Sequence, residues 1–163
     1  MPQWYLIDRN LQVHPAQLEK MNVEEAKALH ALGWEQKFSW PQLIHDSSKG
    51  PVQKLITVSD PRIQGAISYR HDEGFVFVDL LESAPINRFT TLNRFYTNVT
   101  DILLGAACLE SLSSPLTEGY VAFDTKTSLI GYYEKRFGAQ RIGSQRMIID
   151  PRDSMRIVGL YYR

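Results

Sequence analysis

The sequence predicts an α/β fold with a mixed, mostly antiparallel sheet flanked by helices, and three observations carry that reading. Residues 75–83, FVFVDLLES, are a nearly unbroken run of β-favouring apolar residues, the pattern of a strand buried on both faces. Residues 98–113, NVTDILLGAACLESLS, are apolar almost all round, as expected of a buried helix. The same alternation then returns as GYVAFD at 119–124 and SLIGYYEKRFG at 128–138. Strand, buried helix and second strand make a crossover unit, so 75–82 and 119–124 are expected as a parallel pair joined by helix 99–113.

From the N-terminus, WYLID at 4–8 reads as a first strand, followed by a turn at Val13-His14-Pro15. Asn22 and Glu25 have the spacing of a capping box that opens a helix, and Gly33 stands where a left-handed residue would end it. Ser39 reads as the N-cap of a second helix, with Pro41 tolerated in the first turn. Trp34, Phe38 and Trp40 fall between these helices. Core packing is the simpler role for them, and an aromatic wall over a binding pocket is the alternative.

Three strand-like runs follow at 52–58, 63–70 and 75–83. They are separated by Ser59-Asp60-Pro61 and by residues 71–74, both short enough for hairpins. Near the C-terminus, RIGSQRMIID at 141–150 reads as one more strand, broken at Asp150-Pro151, and Ser154 as the cap of a last short helix through Leu160. No repeat, low-complexity tract or linker interrupts the chain, so residues 1–163 are expected to form one domain.

Lysine plus arginine and aspartate plus glutamate balance at 18 and 18, which gives no reason to expect a nucleic-acid or membrane partner. A lone Cys108 excludes an internal disulfide and suits a reducing compartment. Its setting among Ala and Leu on a helix reads as a core thiol rather than a nucleophile. No apolar run reaches the ~18 residues of a membrane span, and Met1–Asn10 lacks the pattern of a signal peptide, so a cytoplasmic location is expected. His14, His30, His45 and His71 lie apart without ligand spacing, and no metal site is expected. The arginines and lysines between Lys135 and Arg163 read as a solvated surface, with an anion-binding face as the alternative.

The element order, together with YYEKRFGA at 132–139, resembles the GNAT superfamily of N-acetyltransferases, in which a similar Tyr-Glu-Lys segment lies on the helix after the fifth strand. The segment Glu82-Ser83-Ala84-Pro85-Ile86-Asn87 is similar to one that follows the fourth strand in a bacterial branch of that superfamily. The resemblance implies a GNAT-like acyl-CoA N-acyltransferase fold with acetyl-CoA as co-substrate and no metal. The parallel strands would splay apart, the pantetheine arm would pair with the free edge of 75–82, and a backbone N–H between Leu81 and Ser83 would polarise the acyl carbonyl.

The pyrophosphate loop implied by the resemblance falls on 96–101, with Asn98, Val99 and Thr100 as its core and Arg94 as a nearby cation. Asn98 and Thr100 stand where the superfamily has small residues, chiefly glycine. Asn98 and Asp101 also have capping-box spacing, and a carboxylate in the first turn would repel a phosphate. Tyr133 is implied as the acid that serves the departing thiolate, and it lies on one helical stripe with Leu129, Ile130 and Phe137, where a buried core tyrosine is the alternative reading. Glu82 is implied as the general base, with Asp79 the other carboxylate of the apolar run; a paired structural role is the simpler reading of either. The acceptor implied is an amine on a small molecule or a peptide, with a homodimer admitted. The competing reading is a non-catalytic binding or regulatory module that keeps the fold without the phosphate cradle.

Overall fold

In the computed structural model, which describes residues 2–163, the strands are β1 (Trp4–Ile7), β2 (Val13–Lys20), β3 (Val52–Thr57), β4 (Asp60–His71), β5 (Val76–Ser83), β6 (Val121–Asp124), β7 (Gln140–Ile142) and β8 (Arg146–Ile149). They join in one sheet in the order β1-β2-β3-β4-β5-β6-β8-β7. Every pairing is antiparallel except β5 with β6, where Val76, Phe77 and Val78 lie beside Val121, Ala122 and Phe123. The helices are α1 (Val23–Ala28), α2 (Trp40–His45), α3 (Val99–Leu112), α4 (Ile130–Phe137) and α5 (Pro151–Tyr161).

Two apolar layers fill the faces of the sheet. On one face α3 is buried against Leu55, Ile67, Val76, Val78, Val121 and Phe123 and covered on its far side by Trp4 and Ile157. That double cover is why its sequence is apolar all round. On the other face Met21, Ala26, Leu29, Trp34 and Trp40 of the α1–α2 region pack on Val52 and Ala66. The capping box is present, with Asn22 and Glu25 exchanging side-chain and backbone bonds, and the Ser39 hydroxyl accepts from Gln42 N. Gly33 ends the first helical segment at φ 92°.

Three sequence expectations are corrected. Val13-His14-Pro15 does not form a turn but begins β2, where only Ala16 of eight residues is buried, so no alternation marks the strand. Pro15 fits because its carbonyl faces β3 and accepts from Val58 N just beyond the last ladder pair, Ala16 with Thr57. The proline's missing N–H therefore falls outside the ladder. Residues 141–150 form a hairpin rather than one strand, because Gly143 turns the chain at φ 72°. The last helix is capped by Asp150, which accepts from Asp153 N, while Ser154 is buried and donates to the Gly119 carbonyl.

One irregularity positions the rest. Across β4 and β5, Ser68 is opposite Leu80 but Tyr69 is opposite Val78, so Asp79 is an extra residue. Val76 and Val78 point to the α3 layer and Phe77 to the opposite face. After the bulge the phase is reversed: Leu80 packs with the α1–α2 layer, Leu81 with the α3 layer, and Glu82 again faces α2.

Candidate active site

β5 continues for five residues beyond its last pair with β6. From Asp79 to Ser83 it has β4 on one side and no strand on the other. The gap opens into a cleft of about 690 Å³. Residues 78–83 form one wall, Phe123, Tyr132 and Tyr133 the opposite wall, and the first turn of α3 the floor.

The floor is drawn close by a missing side chain. A Cβ on Gly65 of β4 would stand 2.7 Å from Val99 Cγ1 and 3.2 Å from the Glu82 carbonyl oxygen. Only glycine lets the start of α3 lie this near the sheet. Val99, Thr100 and Asp101 N–H find no acceptor among the described residues, and the first helical bond runs from Ile102 N to the Asn98 carbonyl at 3.1 Å. Orphan donors at a helix N-terminus, backed by its dipole, form an anion site.

Asn98 is not a cap, which corrects the capping-box expectation. Its Oδ1 accepts from Ile7 N at 2.8 Å and its Nδ2 donates to the Tyr5 carbonyl at 3.0 Å, so the buried amide ties α3 to β1. Its φ of −124° is ordinary backbone, and Thr100 is helical, so the absence of glycine leaves this turn unstrained. Thr100 Oγ1 lies 3.3 Å from Ser83 Oγ, linking the floor to the end of β5. Asp101 is held by Arg136 of α4. Arg94, half-buried at the cleft, makes no ion pair among the described residues.

On the α2 side, buried Glu82 is fully directed. Its Oε1 accepts from Trp40 Nε1 at 2.9 Å, and its Oε2 from Glu35 N at 2.7 Å and Arg88 Nη2 at 3.4 Å. Trp40 is thus both a core residue and a partner of the site, while Phe38 lines the cleft. Sequence reading missed Glu35 and Arg88. Neither carries a local signal, since both act through a fold that brings residues 35, 82 and 88 together.

On the opposite wall Tyr133 is 8 % exposed and packs edge-on against Phe123 at 4.8 Å. Burial pushes its phenol up to about 12. Its hydroxyl makes no hydrogen bond to the described residues and is not sealed from solvent, so it is available to a ligand. Tyr132, at the edge of the stripe, stacks on Phe89 with centroids 5.8 Å apart. Leu81 and Ser83 lie on the free segment of β5, facing α3.

Asp79 is an ion-paired side chain rather than a free base, with Arg70 Nε at 3.0 Å and Lys49 Nζ at 3.6 Å. Cys108 is wholly buried, with its thiol pushed up to about 12 by burial. No cluster of three or more metal-ligating side chains occurs among the described residues, and none of their helices is long and apolar enough to cross a membrane.

No protein-family profile matches the chain, and no curated protein does. Solved structures do. A bacterial toxin is 10% identical over 90% of this chain and 96% of its own, with a TM-score of 0.63. An acyl-CoA N-acyltransferase from Pseudomonas aeruginosa is 16% identical over 82% of this chain and 95% of its own, with a TM-score of 0.52. A diaminobutyrate acetyltransferase from Paenibacillus lautus, solved with L-2,4-diaminobutyric acid and coenzyme A, is 13% identical over 85% and 96%, with a TM-score of 0.50. The fold is that of the GNAT acyl-CoA N-acyltransferases, a mixed sheet with one parallel pair flanked by helices.

Proposed function

We propose that this protein is an acyl-CoA-dependent N-acyltransferase that moves an acetyl group from acetyl-CoA to an amine within a ternary complex. The observation that carries the reading is the convergence of two unsatisfied backbone arrays on one cleft. These are the free edge of β5 from Asp79 to Ser83 and the orphan N–H groups of Val99, Thr100 and Asp101. An extended amide-bearing arm suits the first as an added strand, and a pyrophosphate suits the second, with Arg94 as counter-ion. Coenzyme A carries both chemistries in one molecule.

The co-substrate supplies an activated thioester. A backbone N–H in the Leu81–Ser83 segment would stabilise charge on the acyl oxygen as the amine attacks. Glu82, with both oxygens aimed by Trp40, Glu35 and Arg88, would accept the amine's proton through a water. Tyr133 would serve the sulfur. A phenol near 12 is a weaker acid than a thiol near 8.5, and full transfer to the thiolate is uphill by roughly 5 kcal/mol. Tyr133 is therefore better cast as a protonated donor that stabilises the leaving thiolate, with release of the thiol completed by solvent.

Thermal melting with CoA and with acetyl-CoA tests the reading. A ligand present at about 100 times its Kd adds roughly 2.7 kcal/mol and raises the midpoint by several degrees. A midpoint unmoved by millimolar amounts of either compound rejects it in favour of a non-catalytic relative of the fold.

A further inference from the structure

One carboxylate that the proposed chemistry leaves unused, on the strand that forms the cleft wall, is Asp79. Its side chain is 2% exposed, and it is the extra residue of the β4–β5 bulge. Three groups hold its carboxylate: Arg70 Nε at 3.0 Å from the neighbouring strand, Lys49 Nζ at 3.6 Å, and Gly50 N at 3.5 Å. Gly50 is pressed on the sheet so tightly that a Cβ there would lie 1.6 Å from the Tyr69 carbonyl oxygen, and its own carbonyl accepts from Ser68 Oγ. Tyr69 and Ser68 are the two residues of β4 between which the register slips. The anchors of Asp79 therefore sit on the bulge itself.

Two consequences follow from that one extra residue. A regular β5 would place residues 76, 78, 80 and 82 on one face, turning Glu82 toward α3 and away from Trp40. With the bulge, Glu82 reaches Trp40 and Ser83 reaches Thr100. The β5–β6 ladder also ends at Val78, immediately before Asp79, and the free edge starts there.

The structure assigns Asp79 the role of a positioning residue: its ion pair with Arg70 and Lys49 locks the bulge that aims Glu82 at the acceptor side and opens the donor edge of β5. The donor half of this inference rests on the acyl-CoA reading; the aim of Glu82 does not.

Two measurements on Asp79→Ala separate the parts. The first is the indole N–H resonance of Trp40, assigned with Trp40→Phe among the three tryptophans. It reports the bond to Glu82 without any ligand. The second is the Kd for CoA by calorimetry, well below the melting midpoint. The expected result is a shifted Trp40 resonance together with at least tenfold weaker CoA binding. Arg70→Gln attacks the same anchor from β4, is expected to move both readouts in the same direction by less, and decides the matter if Asp79→Ala does not fold. A purely structural carboxylate would lower the melting midpoint and leave folded-state readouts alone. An unmoved Trp40 resonance, or an unchanged CoA Kd in a native protein that binds CoA, overturns the inference. A shifted resonance in a protein whose native form binds no CoA upholds the role of Asp79 in aiming Glu82 and rejects only the acyltransferase reading.

Discussion

Arg136 grips the carboxylate of Asp101 at two points, with Nη2 at 2.7 Å and Nε at 3.3 Å. The carboxylate is buried in the first turn of α3, where alone it would compete with any anion brought to the helix N-terminus. Paired, it presents almost no net charge to the cleft. Arg136→Gln should therefore weaken CoA binding several-fold, by exposing the N-terminus to an uncompensated carboxylate. The guanidinium is partly solvated, so the stability loss should be about 1–3 kcal/mol, below that of a fully buried pair. Urea unfolding and calorimetry on the two proteins measure both effects.

Asn98→Gly introduces the small residue that the resemblance implies at this position, yet it should harm the protein. The substitution leaves Ile7 N–H and the Tyr5 carbonyl without their partners and adds backbone freedom. Loss of two such contacts costs roughly 2–4 kcal/mol, read as a lower urea midpoint. Tighter CoA binding by the glycine variant would show that the amide obstructs the cradle rather than supports it.

Tyr133→Phe should lower kcat by roughly tenfold or more and leave KM nearly unchanged, because the hydroxyl matters only as charge builds on the sulfur. Tyr132→Phe is the matched control: it keeps the ring that stacks on Phe89 and should alter kcat by less than about twofold. Equal losses in the two variants would remove Tyr133 from its proposed role.

Alkaline pH should destabilise the fold chiefly through the three acids that burial shifts furthest. Burial raises Tyr69, Tyr133 and Cys108 to about 12 each in the folded protein. In the unfolded chain tyrosine ionises near about 10 and cysteine near about 8.5. The stability from these groups is fully present below their unfolded values. It is lost as pH rises toward about 12, because the unfolded state sheds protons that the native state keeps. Each group contributes a slope of up to about 1.4 kcal/mol per pH unit. Urea midpoints measured across that range should fall steadily, and Tyr133→Phe should flatten the fall by one group's share.

What the sequence revealed follows physical reach. The capping box at Asn22, the cap at Ser39, the all-round apolar α3 and the buried stripe on α4 are local patterns, and each was legible. β2 was not, because a strand with one buried residue and a proline lacks the alternation that marks a strand. The bulge at Asp79 was not either, since FVFVDLLES reads as regular strand and the slip exists only relative to β4. At the candidate site, most of the residues named from continuous segments line one cleft, whereas the partners of Glu82 and Asp101 come from elements that meet only in three dimensions.

The amide of Asn98 reaches back 91 and 93 residues to Ile7 and Tyr5, so the turn before α3 depends on contacts far away in the chain. α3 can form on local contacts, but the turn before it is fixed only when the first strand docks beside it. Closing so long a loop is among the costlier entropic steps available to this chain. A partly folded molecule with its central hairpins assembled and β1 still detached would possess the helix without a fixed cradle. Affinity for an anion at that turn would then arise late, and a fluorescent CoA analogue added during refolding would report arrival of the N-terminal strand rather than collapse of the core.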